Sequence, residues 1–427
     1  MTDSNVNFGT KCDVRKSAGS RCDVVISGSS YAGLSLACGL AQALGPTFKI
    51  TLIDRDAAAP AGAAADARAS ALSAASKSML EVLGVWSAVA PEAQPVTGID
   101  ITDSALEAGV RPVLLDYENV TAGGEPATYI VPNSVLFAAL RAQLQHTPSV
   151  ACLAPAEIAD FESDEAETRI KLADGRGLTS SLLVAAEGRK SRLRDAAGIK
   201  VVGWDYSQIG IVTTVRHERP HGGRAVQHFL PAGPFAILPL TGNRSCITWS
   251  EDAREAKRIL ALDDADFLAE VEKRFGGKLG AVTLDGPRQS WPLSMHLARR
   301  YVGPRFALIG DTAHGVHPLA GQGLNLAFRD VAALVEVITD AVRLGLDAGD
   351  ASALARYERW RRFDSFVSAA TFDGLNRLFA SDAMLLRSAR EFGLGLVDRM
   401  PGLKRFFVGE AAGLTGELPR LLKGEAV

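Results

Sequence analysis

The chain has 427 residues, of which 47% are hydrophobic and 22% charged, and its formal net charge is −3. That length exceeds one ordinary core and suits two interleaved domains, while the apolar share excludes global disorder. With no basic excess to meet phosphates, nucleic-acid binding is excluded as well.

Residues 1–21 are polar and lack an apolar core, so they read as a loose tail and not as a secretory signal. Cys22–Ser27 reads as a short buried strand, Gly28–Gly33 as a tight turn and Leu34–Leu44 as an Ala/Leu-rich helix. Lys49–Ile53 is a second strand closing on Asp54, which completes a β-α-β unit. Ala57–Ala65 is an Ala/Gly/Pro excursion, and Ala74–Leu83 a helix stopped by Gly84. Gly98–Val131 looks strand-rich, Asn133 starts a helix, and Thr179–Ala185 is another buried strand. From about Val201 to Trp291 the pattern is strand-like with Gly/Pro turns. Phe306–Ile309 is a short apolar strand, a long helix follows from Leu324, and Ala353–Leu422 reads as helices. No apolar run reaches about 18 residues, so no transmembrane helix is expected. The cysteines (Cys12, Cys22, Cys38, Cys152, Cys246) are scattered without metal-ligand spacing, which reads as reduced thiols in a cytoplasmic protein and leaves no metal site.

Three motifs carry chemistry. In Gly28–Gly33 a glycine-rich turn follows a strand and opens a helix, which aims backbone N–H groups at a pyrophosphate. Ser30 stands where the second glycine of that pattern falls. Asp54, some twenty residues on, can bind ribose hydroxyls. The second motif runs from Leu183 through Glu187-Gly188-Arg189 to Ser191 and Arg194, a buried strand entering an acid-glycine turn; taken alone it also reads as a polar loop capped by Ser191. The third, Gly310 to Asn325, holds Asp311 at a strand end and Gly321 and Gly323 before a helix. Asp311 can hold a sugar-like hydroxyl, the glycines admit a planar ring, and the helix N-terminus stabilises negative charge on a reduced flavin.

Taken in this order, the motifs resemble the p-hydroxybenzoate-hydroxylase-type FAD monooxygenases. The chain is more closely similar to the 2-polyprenylphenol hydroxylases of ubiquinone biosynthesis. The narrower likeness rests on Arg68–Ser73 with Leu80–Trp86, on Phe229-Leu230-Pro231 through Ala236–Leu240, and on His317–Asn325 with Arg329-Asp330. Leu375–Phe379 and Glu410–Gly416 add to it in the tail. The resemblance implies an α/β fold: a Rossmann-like FAD-binding domain with an interleaved β-sheet substrate domain and a helical C-terminal region. The implied boundaries are 22–95, 132–200 and 300–350 for the discontinuous FAD domain, 96–131 and 201–299 for the substrate domain, and 351–427 for the helical region.

The resemblance also implies roles. Gly28, Ser30 and Gly33 would line the pyrophosphate, Asp54 would bind the adenosine ribose, and Arg68 and Asn133 would reach the cofactor. Glu187, in place of the usual Asp, would sit with Gly188 near phosphate or nicotinamide. Asp311 would hold the ribityl chain, while Pro318, Gly321, Gly323, Leu324 and Asn325 would surround the isoalloxazine. The implied cycle uses NAD(P)H or a reduced electron carrier and O2, forms a C4a-hydroperoxyflavin, and hydroxylates a polyprenylphenol or another aromatic small molecule. A flavin-bearing, non-catalytic scaffold subunit is the alternative. A flavin halogenase is disfavoured because no Trp-x-Trp occurs. No catalytic acid or base is assigned: His314 and His317 lie near the flavin and read as structural or cofactor-packing.

Arg299-Arg300 and Arg361-Arg362 read as solvated charges, and Trp249 and Trp291 as core packing, with a substrate-pocket wall as the alternative. Met384–Phe407 mixes apolar and basic residues, so it reads either as a helical cap or oligomer contact or as a contact with the inner membrane surface. A quinone-biosynthesis complex is a further expected partner.

Overall fold

Apolar strands buried on both faces require helices on either side, and the first strands of this chain are of that kind. In the computed structural model, residues 20–56, 66–104, 106, 111–145, 147–317, 321–379 and 408–427 are described. The expected tail up to residue 19, the Ala/Gly/Pro excursion, Pro318 and the mixed segment Met384–Phe407 lie outside the described residues.

β1 (Ser20–Ser27) begins two residues before the expected strand and feeds α1 (Tyr31–Leu44), after which β2 (Ile50–Ile53) returns. β3 (Ala69–Ser73) runs directly into α2 (Ala74–Val82), capped by the Ser73 side chain accepting from Ser76 N–H. α3 (Asn133–Gln145) and β4 (Gly177–Ala185) follow. β5 (Val201–His217) and β6 (Gln289–Ala298) are long strands of a second sheet. β7 (Phe306–Leu308), α4 (Gly323–Arg343) and α5 (Ala351–Phe379) complete the frame.

The first sheet has eight strands; its parallel run has the order β7-β4-β1-β2 with Val150–Leu153 outside β2, and antiparallel strands join it at β4 and β7. The chain leaves β1 toward β2 on one side and reaches β4 and β7 on the other. That reversal opens a crevice at the strands' carboxyl ends, where open α/β sheets bind ligands. The core beneath it includes Val24, Val25, Ile26, Leu183, Val184 and Leu308, all buried. The C-terminal Leu421 and Leu422 belong to the same core.

The second sheet has nine strands. β5 lies between β6 and Arg244–Asp252, and Gly98–Asp103 joins from far upstream. Two helices, Ala253–Leu260 and Asp264–Phe275, interrupt what the sequence presents as continuous strand. Their signals were the caps: Asp252 accepts from Arg254 and Glu255 N–H and Asp263 from Asp266 N–H, ahead of buried Ala256, Ile259, Phe267, Val271 and Phe275 at helical spacing. Phe267 and Phe235 pack around buried Trp249, in line with a core role, whereas Trp291 lies beneath the Arg68 guanidinium at 5.6 Å.

Candidate functional site

The three motifs sit on adjacent strands: Gly28 just beyond β1, Glu187 just beyond β4 and Asp311 just beyond β7. The first turn is very tight. Gly28 has φ +108°, and a Cβ there would stand 2.4 Å from the Ala186 carbonyl oxygen. At Gly33 a Cβ would stand 1.9 Å from the Gly28 carbonyl oxygen, so glycine is what lets helix and strand approach. Ser30 is different: it is exposed, with φ −82° and ψ −175°, ordinary extended backbone at the helix N-cap, and its side chain makes no cap hydrogen bond. Serine is accommodated there without strain. Ser30→Gly is therefore expected to change stability by at most a few tenths of a kcal/mol and FAD affinity by less than about threefold, measured by flavin titration of the apoprotein. Asp54 Oδ2 accepts from Ser29 N–H at 2.6 Å and Ser29 Oγ–H at 2.5 Å, which holds the carboxylate against the turn.

The extra methylene of Glu187 has a visible use. Its carboxylate accepts from Ser27 Oγ–H (2.8 Å), Ser191 Oγ–H (2.7 Å) and Leu193 N–H (3.2 Å), tying the ends of β1 and β4 to the short helix Arg192–Ala196. Ser191 itself caps that helix by accepting from Arg194 N–H. Gly188 N–H donates to Thr312 Oγ1 at 2.9 Å, joining the second motif to the third. Arg189 gathers three more segments: it donates to Asp311 Oδ2 (3.2 Å), the Ser294 carbonyl (2.7 Å) and hydroxyl (2.9 Å), and the Val316 carbonyl (3.1 Å). His296 of β6 lies 2.8 Å from the Asp311 carbonyl through Nε2. The third motif even extends the second sheet, since His314–Gly315 pairs with β6.

Beyond the loop, Gly323 and Leu324 open α4, a 21-residue helix with no side-chain cap at its N-terminus. A Cβ on Gly323 would meet nothing within 4 Å among the described residues. Gly321 (φ +65°) packs on Ala71 of β3. Asn325 is buried; it accepts from Ser73 N–H and Ser76 Oγ–H and donates to the Ala71 carbonyl and Gln322 Oε1, clamping the helix start to β3. Asn133 Oδ1 accepts from Ser70 Oγ–H at 2.7 Å. Arg68 forms a forked pair with Asp66 at 2.8 and 2.7 Å, so a phosphate would have to compete with that carboxylate. These features suit FAD: glycine turns for a pyrophosphate, acids at two strand ends for sugar hydroxyls, and an uncapped positive helix end for the ring.

Arg361 corrects one expectation. It is 2% exposed, not solvated: its Nε donates to Asp330 Oδ1 at 2.8 Å, and it also pairs with Asp364. Asp330, fully buried on α4, further accepts from Gly310 N–H at 2.9 Å and pairs with His314 Nε2 at 2.6 Å. Burial alone would raise the Asp330 pKa, but His314 and Arg361 together hold it below the ordinary carboxylate range. Arg362 and Arg299-Arg300 are exposed, in line with the solvated reading.

The two histidines separate. His314 is tied to Asp330, whereas His317, 1% exposed, has no hydrogen-bond partner on either ring nitrogen among the described residues. Each unsatisfied buried group costs about 1–3 kcal/mol. Burial, with help from Arg189 and against Asp373, pushes the His317 pKa down to about 4, so the ring is neutral at neutral pH. The roles of Arg189, His296 and Asp330 were missed in the sequence. Each depends on partners 15 to 127 residues away, and no local spacing signals them.

Residues 21–364 match the model of the FAD binding domain family. The ubiquinone hydroxylase UbiL of Rhodospirillum rubrum is 43% identical over 96% of this chain and 95% of its own length. The 3-demethoxyubiquinol 3-hydroxylase of Escherichia coli is 34% identical over 92% of this chain and 98% of its own. Among solved structures, p-nitrophenol 4-monooxygenase PnpA of Pseudomonas putida superposes with a TM-score of 0.76 at 16% identity, covering 93% of this chain and 99% of that one, which speaks to the fold. The chain belongs to the FAD-binding hydroxylases of ubiquinone biosynthesis, enzymes that use O2 with a reduced nicotinamide or similar reductant.

Proposed function

We propose, from that family membership, that the chain hydroxylates the ring of a polyprenylated phenol on the path to ubiquinone. The observation that carries the reading is the meeting of three strand ends and an uncapped helix N-terminus beside the second sheet. Bound FAD supplies the redox chemistry and delivers the oxygen atom. The protein's own part is to hold, orient and keep water out. Gly28, Ser30 and Gly33 would cradle the pyrophosphate and Asp54 would take the adenosine ribose. Arg68, in competition with Asp66, and Asn133 would reach phosphate, and Glu187-Gly188 fixes the turn between β4 and the next helix. Asp311, paired with Arg189, would hold the ribityl hydroxyls, while Gly321, Gly323, Leu324 and Asn325 would receive the ring. Gently purified protein is expected to be yellow and to consume O2 faster with a short-chain prenylphenol, yielding hydroxylated product. No flavin, or flavin without substrate-stimulated uptake, would instead favour a scaffold subunit.

Asp311→Ala removes a charged acceptor worth about 1.5–3 kcal/mol when hydrogen-bonded. FAD affinity is expected to fall by about 10- to 150-fold. A variant that keeps stoichiometric FAD through gel filtration would sink this assignment.

No helix among the described residues is long and apolar enough to cross a membrane. Contact with a bilayer surface has a candidate face. Val202 and Trp204, on one face at the start of β5, are exposed, as are Phe363, Phe366 and Val367 on α5. The Tyr206 hydroxyl donates to Asp373 at 2.9 Å and holds the two elements side by side. Such a face would let a prenyl tail stay in lipid while its ring reaches the flavin. Flotation with anionic liposomes is expected to carry the wild type and to carry Phe363→Glu/Phe366→Glu several-fold less; equal flotation would remove this face from consideration.

A further inference from the structure

His317 is a buried imidazole at the mouth of the flavin loop with neither ring nitrogen used among the described residues. Its surroundings do not explain it as packing. The Tyr206 ring meets it edge-on at 5.0 Å, and Tyr206 spends its hydroxyl on Asp373. Tyr206 in turn packs against an apolar cluster of Met295, Val316, Leu326 and Ala369, where β6, the loop, α4 and α5 meet. A neutral imidazole presents one acceptor and one donor. Beside this apolar cluster and the flavin loop, a phenolic hydroxyl is a partner whose chemistry matches the unused acceptor.

We propose that His317 is a catalytic residue that accepts the hydrogen bond of the substrate's phenolic hydroxyl and takes its proton as the ring is oxygenated; this rests on the hydroxylase reading above. A neutral ring with a pKa of about 4 is too weak a base to ionise a resting phenol, whose pKa lies about six units higher, near the ordinary tyrosine value of about 10. It is suited to a later moment. As the new C–O bond forms at the ring carbon ortho or para to the hydroxyl, that hydroxyl becomes a protonated carbonyl, a strong acid. Its proton passes to His317, and the ring C–H then loses its own proton to water, which restores aromaticity and leaves a phenolate. His317 returns its proton to that phenolate oxygen before product leaves. The electrons and oxygen are those of the established reaction, from the reductant and O2. The charged groups facing the imidazole are Arg189 from the β4 turn and Asp373 from α5.

The test uses FAD-loaded full-length protein with a short-chain 2-prenylphenol and its methyl ether. Equilibrium binding is read from the change in flavin absorbance, and turnover from product per O2. Wild type is expected to bind the phenol at least about tenfold more tightly than the ether. His317→Phe should bind both alike, with kcat for the phenol down about 10²-fold or more and FAD content unchanged. His317→Gln, which keeps an acceptor but cannot carry a proton, should restore the binding preference and not the turnover. Preference and turnover within about threefold of wild type in His317→Gln and His317→Phe would overturn the proposal. So would loss of FAD or a shifted spectrum before phenol is added, which would make the flavin the partner of the ring. If His317→Phe fails to fold, the Gln variant alone decides, through its split between binding and turnover. A wild-type holoenzyme that ignores the phenol would fail the hydroxylase reading itself, a different outcome from a working enzyme indifferent to His317.

Discussion

Gly33→Ala is expected to purify without flavin. Its new methyl group would stand 1.9 Å from the Gly28 carbonyl oxygen, a backbone atom that no side-chain rotation can move aside. The β1–α1 turn must open, and the helix N–H groups withdraw from the pyrophosphate. Overpacking of this kind costs about 1–3 kcal/mol. Because the displaced atoms are the ones that bind phosphate, FAD affinity should drop by about 5- to 150-fold. Flavin content by absorbance and far-UV circular dichroism separate the outcomes. A folded, fully yellow Gly33→Ala would mean that the turn binds no cofactor. Ser30→Gly, three residues away, serves as the mild control.

Asp330→Ala is the second large effect. Arg361 would be left buried without its Asp330 partner, and the Gly310 N–H and His314 would lose their acceptor. Breaking a buried pair by removing one member costs about 3–5 kcal/mol. The Asp330 pKa is lowered in the folded protein, so its contribution is fully present above the unfolded carboxylate value of about 3.9. It is lost as pH falls through the lower folded value. The gap between wild type and Asp330→Ala in urea denaturation should therefore be constant from about pH 6 to 8 and narrow only under strong acid. Asp330→Ala/Arg361→Met removes both charges and should recover at least half of the loss, since apolar replacements of buried pairs are often neutral. A single variant as stable as wild type would show that the pair is not the anchor of this loop.

The parts of the site that could be read in the sequence are those encoded by near neighbours. Gly28 to Gly33 and Asp54 belong to one β-α-β unit, and Gly310 to Asn325 is continuous. The coarse α/β fold was legible for the same reason: buried strands and Ala/Leu-rich helices announce themselves by local period. What stayed hidden depends on distant register. Arg361 looks like a surface charge until α5 turns it toward Asp330, 31 residues earlier. Arg189 sits in a motif with no evident job until β6 and the Asp311 loop arrive around it. The two helices within 253–275 were masked by flanking strands, although Asp252 and Asp263 marked their starts. Glu187 reads in the sequence as a longer acid in place of the usual Asp, and Ser27, Ser191 and Leu193 around it show why the longer side chain fits.

The segment 408–427 has a consequence for how the core is held. Leu421 packs toward Gly39 on α1, Ala75 N–H donates to the Ala412 carbonyl, and Arg329 donates to the carbonyls of Gly413 and Thr415. Residues 408–427 thus brace, from far along the chain, the core that β1 and α1 begin. Without them α1 and α2 lose part of their packing, and the turn between β1 and α1 loses part of its support. A chain cut before residue 408 is therefore expected to expose apolar surface and to aggregate more readily than the full chain, as light scattering would show.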